Sequence, residues 1–115
     1  MQPNESQNLV DEATFDFTMG DHEAAISKLH QAVEADPACF AAWHALAEVH
    51  FDRAEFDKAL EAGTVTVGLR EDDVHIHTTL SRIWMESGNK EEAEKHGARA
   101  RVLGWKEQLS EEAPD

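Results

Sequence analysis

The sequence predicts an all-α fold, a solenoid of three stacked helix-turn-helix hairpins. Three observations predict it. The chain resembles itself at a spacing of 34 residues. Apolar residues recur at helical spacing within each unit, as with Trp43, Leu46, Ala47 and His50 on one helical face. Helix-forming Ala, Glu and Leu dominate, and only six glycines and three prolines interrupt them.

The period is read in columns. Ala13 lands on Ala47 and Ser81, Gly20 on Ala54 and Gly88, Ala25 on Ala59 and Ala93, and Ala32 on Thr66 and Ala100. Phe15, Val49 and Ile83 form an apolar column, and so do Phe17, Phe51 and Met85. Small residues belong where antiparallel helices approach closely, and Trp43, Leu46, Leu80 and Trp84 fill the gaps beside them. One hairpin cannot bury its apolar face alone, whereas three stacked hairpins share a core. The units are 6–39, 40–73 and 74–107, after an N-terminal extension of residues 1–5 and before an acidic, disordered tail, 108–115.

Each unit divides at a small residue. The first pair spans Ser6–Met19 and Asp21–Ala35, broken by Gly20 and capped by Asp21. The second pair spans Ala38–Arg53 and Glu55–Val67. Asp36-Pro37 reads as a cap followed by the first helical position, and Gly68 suits the exit. The third pair spans Asp73–Ser87 and Asn89–Leu103. Asp72 or Asp73 caps its start, and Gly88 and Gly104 end its two helices. Trp105 and Leu109 then form a short helical turn across the end.

A length of 115 residues allows one domain, and 41% hydrophobic residues suffice for a folded core. The formal net charge is −14, and no Lys or Arg precedes Lys28. Such a field repels nucleic acid and anionic membrane surfaces and attracts a basic partner. Cys39 is the single cysteine, so neither an intrachain disulfide nor a cysteine metal cluster can form. The opening "MQPNESQNLV" lacks the basic start and apolar run of a secretory signal. No stretch is long and apolar enough to cross a membrane, so the expected location is cytoplasmic.

At this level of detail the chain resembles the tetratricopeptide repeat family. The family pattern W-x2-L-G-x2-Y…A-x3-F…P is matched by Trp43, Leu46, Ala47, His50 and Ala59 in the middle unit. Leu9, Ala13, Gly20, Ala25, Leu29, Ala32 and Pro37 carry it in the first unit, and Leu80, Ser81, Trp84, Gly88, Ala93 and Ala100 in the last. The resemblance implies a right-handed superhelical stack whose first helices line a concave groove. It also implies a non-catalytic, cofactor-free scaffold that binds protein or peptide. Gly63 and Gly97 depart from the pattern, which wants a large aromatic there; His50 and Trp84 are the expected fillers of the vacated space.

The groove residues follow from the repeat alignment. Phe17, Phe51 and Met85 form an apolar stripe, with Asp21, Glu48, Asp52, Glu55 and Glu86 beside it and His44, His75 and Arg82 on the same helices. The surface suits an extended or helical segment with apolar anchors and Lys/Arg neighbours. Some relatives clamp the acidic C-terminal carboxylate of heat-shock chaperones with Lys and Asn. The matching places here are Val10, Thr14, Ala45, His75 and Thr79, so such tails are not expected to bind.

Other chemistry is thinly supported. His44 and Glu48 lie four apart, and His75 is the best third ligand, but the set is too sparse to expect a metal. His50 and His77 fall in core columns, while His22, His30 and His96 are expected at the surface. No nucleophile–base arrangement or phosphate-binding glycine motif occurs, so an enzyme is not expected.

The ends differ. Ile26 and Val33, then Leu60 and Val67, face forward in the first two units, but the third has Glu94 and Arg101 there, the charged face of a terminal cap. The expectation is an array that stops at three units and forms a complete small protein. Glu12 and Asp16 occupy columns that hold Leu46 and Leu80, or His50 and Trp84, in the other units, as a solvated opening end would. Exposed Phe15 and Met19 would support the alternative to groove binding, a structural role as a homodimer or a small subunit of a larger complex.

Overall fold

The computed structural model describes residues 4–112, with Glu112 described by its backbone alone. Six helices follow in order: α1 Glu5–Thr18, α2 His22–Ala35, α3 Phe40–Asp52, α4 Phe56–Leu69, α5 Val74–Glu86 and α6 Lys90–Glu112. They pair as α1/α2, α3/α4 and α5/α6, and each hairpin packs on the one before it. No helix among the described residues is long and apolar enough to cross a membrane.

The hairpin turns are built alike. Gly20 N–H donates to Phe17 O and Asp21 N–H to Asp16 O; Ala54 and Glu55 repeat this toward Phe51 and His50, and Gly88 and Asn89 toward Met85 and Trp84. This is the Schellman closure, and it needs a left-handed residue. Gly20 and Gly88 meet that need at φ 84° and 91°, whereas Ala54 meets it at 60° against the steric preference of a Cβ. Asp21 and Asn89 cap the next helices by accepting from Ala24 and Glu92 N–H. Glu55, in the same column, makes no cap bond because its carboxylate is held by His50 and Arg53.

The core has two parts. Val10, Ala13, Ala25, Leu29, Ala32, Leu46, Ala47 and Val49 join the first two hairpins, and Ala59, Ile76, Leu80 and Ile83 join the last two. Each large aliphatic side chain so buried contributes about 1.5–3 kcal/mol. The alanines let the helices approach. Ser81 does the same inside the last hairpin, and its hydroxyl donates to Ala93 O at 2.7 Å.

Several expectations are corrected. Helix α3 begins at Phe40 rather than Ala38, because Asp36 ends α2 in an extended conformation and accepts from Ala38 N–H. Helix α4 passes Gly68 to end at Leu69, and α6 passes Gly104 without a break. Trp105 and Leu109 therefore belong to α6, and residues 108–112 are helical rather than disordered; residues 1–3 and 113–115 lie outside the described residues. A Cβ at Gly63 would sit 2.7 Å from Leu80 Cδ2, so Leu80 of the next hairpin, not His50, fills that space. Gly97 faces Ser81 Oγ rather than Trp84. His22 and His96 are half-buried, not surface residues.

The ends match their charge pattern. Glu94 and Arg101 are exposed. Glu12 is exposed too, while Asp16 is partly sheltered by Lys28, whose Nζ lies 2.6 Å from its Oδ2.

Candidate functional site

Helices α1, α3 and α5 line one side of the stack, and two hollows lie along it. The first is formed by Thr14 and Phe17 of α1 with Ala45 and Glu48 of α3, over Ala13, Leu29 and Val49. The second is formed by Phe51 of α3 with Ser81, Arg82, Met85 and Glu86 of α5. Helical spacing produces this arrangement. Positions 14 and 17, 45 and 48, and 82 and 85 are three apart and share a face of their helices.

A polar node separates the hollows. The Thr79 hydroxyl donates to Glu48 Oε1 at 2.7 Å, and His44 Nε2 lies 3.3 Å from the same hydroxyl oxygen. With the Thr79 proton committed to Glu48, His44 supplies an Nε2–H donor. Arg82 Nη1 stands 3.8 Å from Glu48 Oε2, and its guanidinium lies over the Phe51 ring at 4.8 Å. The imidazole of His44, its Nε2 3.7 Å from Oε1, holds the Glu48 carboxyl below its usual value; burial opposes this, and Thr79 and Arg82 reinforce it. Glu48 is therefore a fixed negative charge at the centre of the face.

The edge is tied down as well. His22 Nε2 is 3.3 Å from Asp52 Oδ2, and the His22 ring stacks on Phe17 with centroids 5.2 Å apart. One imidazole thus links the stripe residue of the first hairpin to the acid of the second.

Phe17, His44, Glu48, Phe51, Arg82 and Met85 come together on this side, and Asp52 joins them through His22. Glu55 does not. Its carboxylate turns to His50 Nδ1 and Arg53 Nε, both at 3.0 Å, and lines a separate cleft with Ile26, His30, Trp43, Leu46 and Ala62. His75 is exposed one turn before Thr79 and offers the node only its carbonyl, 3.0 Å from the Thr79 hydroxyl. The metal trio of His44, Glu48 and His75 is not assembled, and no group of three potential ligands converges among the described residues. Sequence reasoning missed His22. Its position just after the Asp21 cap, beside the ends of the first helices, was the available signal.

A curved pile of helical hairpins with a lined hollow is an α-solenoid repeat protein. The sequence signature described as Tetratricopeptide repeat matches residues 17–62, and the six helices pair into three hairpins as in tetratricopeptide repeat structures. The chain is 32% identical over 71 residues to the "Chitin biosynthesis protein CHS6" of Saccharomyces cerevisiae, covering 62% of this chain and 10% of that one. Among solved structures it is similar to MamA, with a TM-score of 0.86 at 20% identity over 93% of this chain and 63% of that chain. It is similar to the first TPR of Spaghetti (RPAP3) bound to an HSP90 peptide, with a TM-score of 0.86 at 19% identity over 90% and 82%. The "CopN-Scc3 complex" follows with a TM-score of 0.83 at 22% identity over 90% and 61%. At these identities the structural likeness is one of fold, and the chain spans about a tenth of the yeast protein.

Proposed function

We propose that the chain is a non-catalytic protein-binding scaffold whose concave face holds a peptide or helix. The observation that carries this reading is the pair of hollows, each with an aromatic side chain, the first lined by Glu48 and the second by Arg82, which stands 3.8 Å from Glu48. A helical or extended segment would place one apolar anchor beside Phe17 and another beside Phe51 and Met85, with a Lys or Arg directed at Glu48 or Glu86. Repeats of this family mediate protein–protein contacts, and two similar structures contain an HSP90 peptide or a CopN partner. The ligand here differs in charge from the HSP90 peptide. Val10 is buried, Thr14 bonds its own helix, and Thr79 is committed to Glu48, so no Lys or Asn clamp for an acidic tail stands at those places. The free Cys39 fits a reducing compartment, and the cytoplasm is the setting we propose.

The test is selection from a displayed random-peptide library, followed by titration of the enriched peptides. Enriched sequences should pair apolar anchors with Lys or Arg. Phe51→Ala combined with Glu48→Lys should weaken them by tenfold or more, corresponding to about 1.4 kcal/mol or more, with helicity retained by circular dichroism. Unchanged affinity in that double variant would place the binding site elsewhere.

A further inference from the structure

The two ends of the stack carry complementary surfaces, and we infer that they meet in a second copy of the chain. This inference stands apart from the groove reading, since none of its residues lines either hollow.

The opening end is an unpaired repeat face. In the column of Phe15, Val49 and Ile83, Val49 is 3% exposed and Ile83 0%, each within a core shared with the hairpin before it. Among the described residues no hairpin packs in front of Phe15, which is 65% exposed. Met19, one turn on, is 68% exposed, and Asp11 and Glu12 stand one turn before. Helix α1 carries Glu5, Asp11, Glu12 and Asp16 and no Lys or Arg. Lys28 of α2 partly offsets Asp16 and, at 3.9 Å, Glu12.

The closing end is the reverse. Helix α6 has 23 residues against 13 in its partner α5 and outruns it. Ala93 and Leu103 are buried toward α5, while Val102, Trp105 and Leu109 share the opposite face. Trp105 is 64% exposed. From Lys95 to Lys106 the helix carries Lys95, Arg99, Arg101 and Lys106 and no acid. This stretch, basic and apolar between Glu94 and Glu107, is out of keeping with a chain of net charge −14, and the acidic, apolar face of α1 is its match in sign and in side-chain class.

Alternative pairings are disfavoured by charge. Joining α6 to α6 would bring the two basic stretches together, and joining α1 to α1 would bring the acids together. Contact between α6 of one copy and α1 of the next avoids both. The extents of 42 × 41 × 25 Å exceed the Debye length of about 8 Å at physiological salt. Repulsion between the acidic bodies is therefore screened, while attraction at the touching ends survives. Because the surfaces that meet are different, the contact is heterologous and open-ended: each added copy presents a fresh end.

Sedimentation velocity over a concentration series at physiological salt tests this. The wild-type mass average should rise past the dimer as concentration increases. Phe15→Glu and Trp105→Glu, both at exposed positions, should each remain monomeric with unchanged circular dichroism. An equimolar mixture of the two variants should form dimers and go no further, because only one intact pair of ends remains. The inference is overturned by a wild type that stays monomeric throughout, by a Phe15→Glu variant that still associates, or by a mixture that fails to pair.

Discussion

His50 of the middle hairpin and His77 of the last are both buried, yet their partners are opposite in character. His50 Nδ1 meets the Glu55 carboxylate at 3.0 Å, an acceptor that tolerates a proton on the ring. His77 Nδ1 meets His96 Nδ1 at 3.0 Å, and its Nε2–H donates to Glu71 O at 2.6 Å. The ring centroids of His77 and His96 are 5.3 Å apart, which the N···N distance plus one ring radius at either end accounts for. The imidazoles therefore meet edge to edge, not face to face. With Nε2–H of His77 committed to Glu71, its Nδ1 accepts and His96 Nδ1–H donates. The pair has room for one added proton but not two, since two would leave both facing nitrogens as donors. A buried histidine is thus defined less by its column in the repeat than by what faces it.

The largest test of the comparison is to separate the two hairpins. Leu80 fills the space over Gly63 and joins α5 to α4. Leu80→Ala should cost about 2–5 kcal/mol, seen as an earlier urea midpoint, with the last hairpin unfolding ahead of the others. A small loss with a single unshifted transition would show that the hairpins are not coupled there.

Acid should distinguish the two hairpins next. Burial, and then electrostatic repulsion between the two facing imidazoles, hold His96 below the ordinary histidine value of 6.5; Glu92 opposes and Lys95 adds. The folded chain therefore binds fewer protons than the unfolded one near that pH. The stabilisation is complete above 6.5 and is lost as pH falls through the lower folded value. Glu55 and Glu48 are carboxylates lowered from 4.5, Glu55 chiefly by its hydrogen bond with His50 and Glu48 chiefly by the neighbouring His44, and they weaken the fold in a more acidic window. Thermal melts should decline first below pH 6.5, and amide exchange should rise in α5 and α6 before α3 and α4. His96→Gln keeps a donor for His77 and removes the titration, so it should flatten that first decline. An undiminished decline in the variant would assign it to another group.

The smallest effect lies in the turns. Ala54→Gly relieves a left-handed alanine and should stabilise by about 0.5–1 kcal/mol, while Gly88→Ala should cost a similar amount. Chemical denaturation of the two variants measures both; equal signs would mean that the two turns are not equivalent.

Much of this architecture was legible in the sequence because a period makes its own comparison. Gly20, Ala54 and Gly88 mark the turns, and the alanine columns mark the close helix contacts. The errors came where the deciding partner lies outside the column. Gly63 gave no hint of Leu80, a residue on another helix of the next unit. Gly104 was read as a stop, but Leu, Trp, Lys, Glu and Gln around it favour helix enough to carry α6 through. At the site, the stripe of Phe17, Phe51 and Met85 was visible from spacing, since spacing sets the face. The departure of Glu55 was not, because His50 and Arg53 claim its carboxylate through contacts that spacing does not specify.

Arg82 has a bearing on how tightly any ligand is read. Its guanidinium already covers Phe51 and neighbours Glu48, so the hollow comes supplied with a resident cation. An incoming lysine or arginine would substitute for that cation rather than neutralise a bare carboxylate. Such an exchange leaves the ion count nearly level. Affinity should therefore vary little with ionic strength, and discrimination among ligands should rest on how well their apolar side chains fit once the arginine has swung aside.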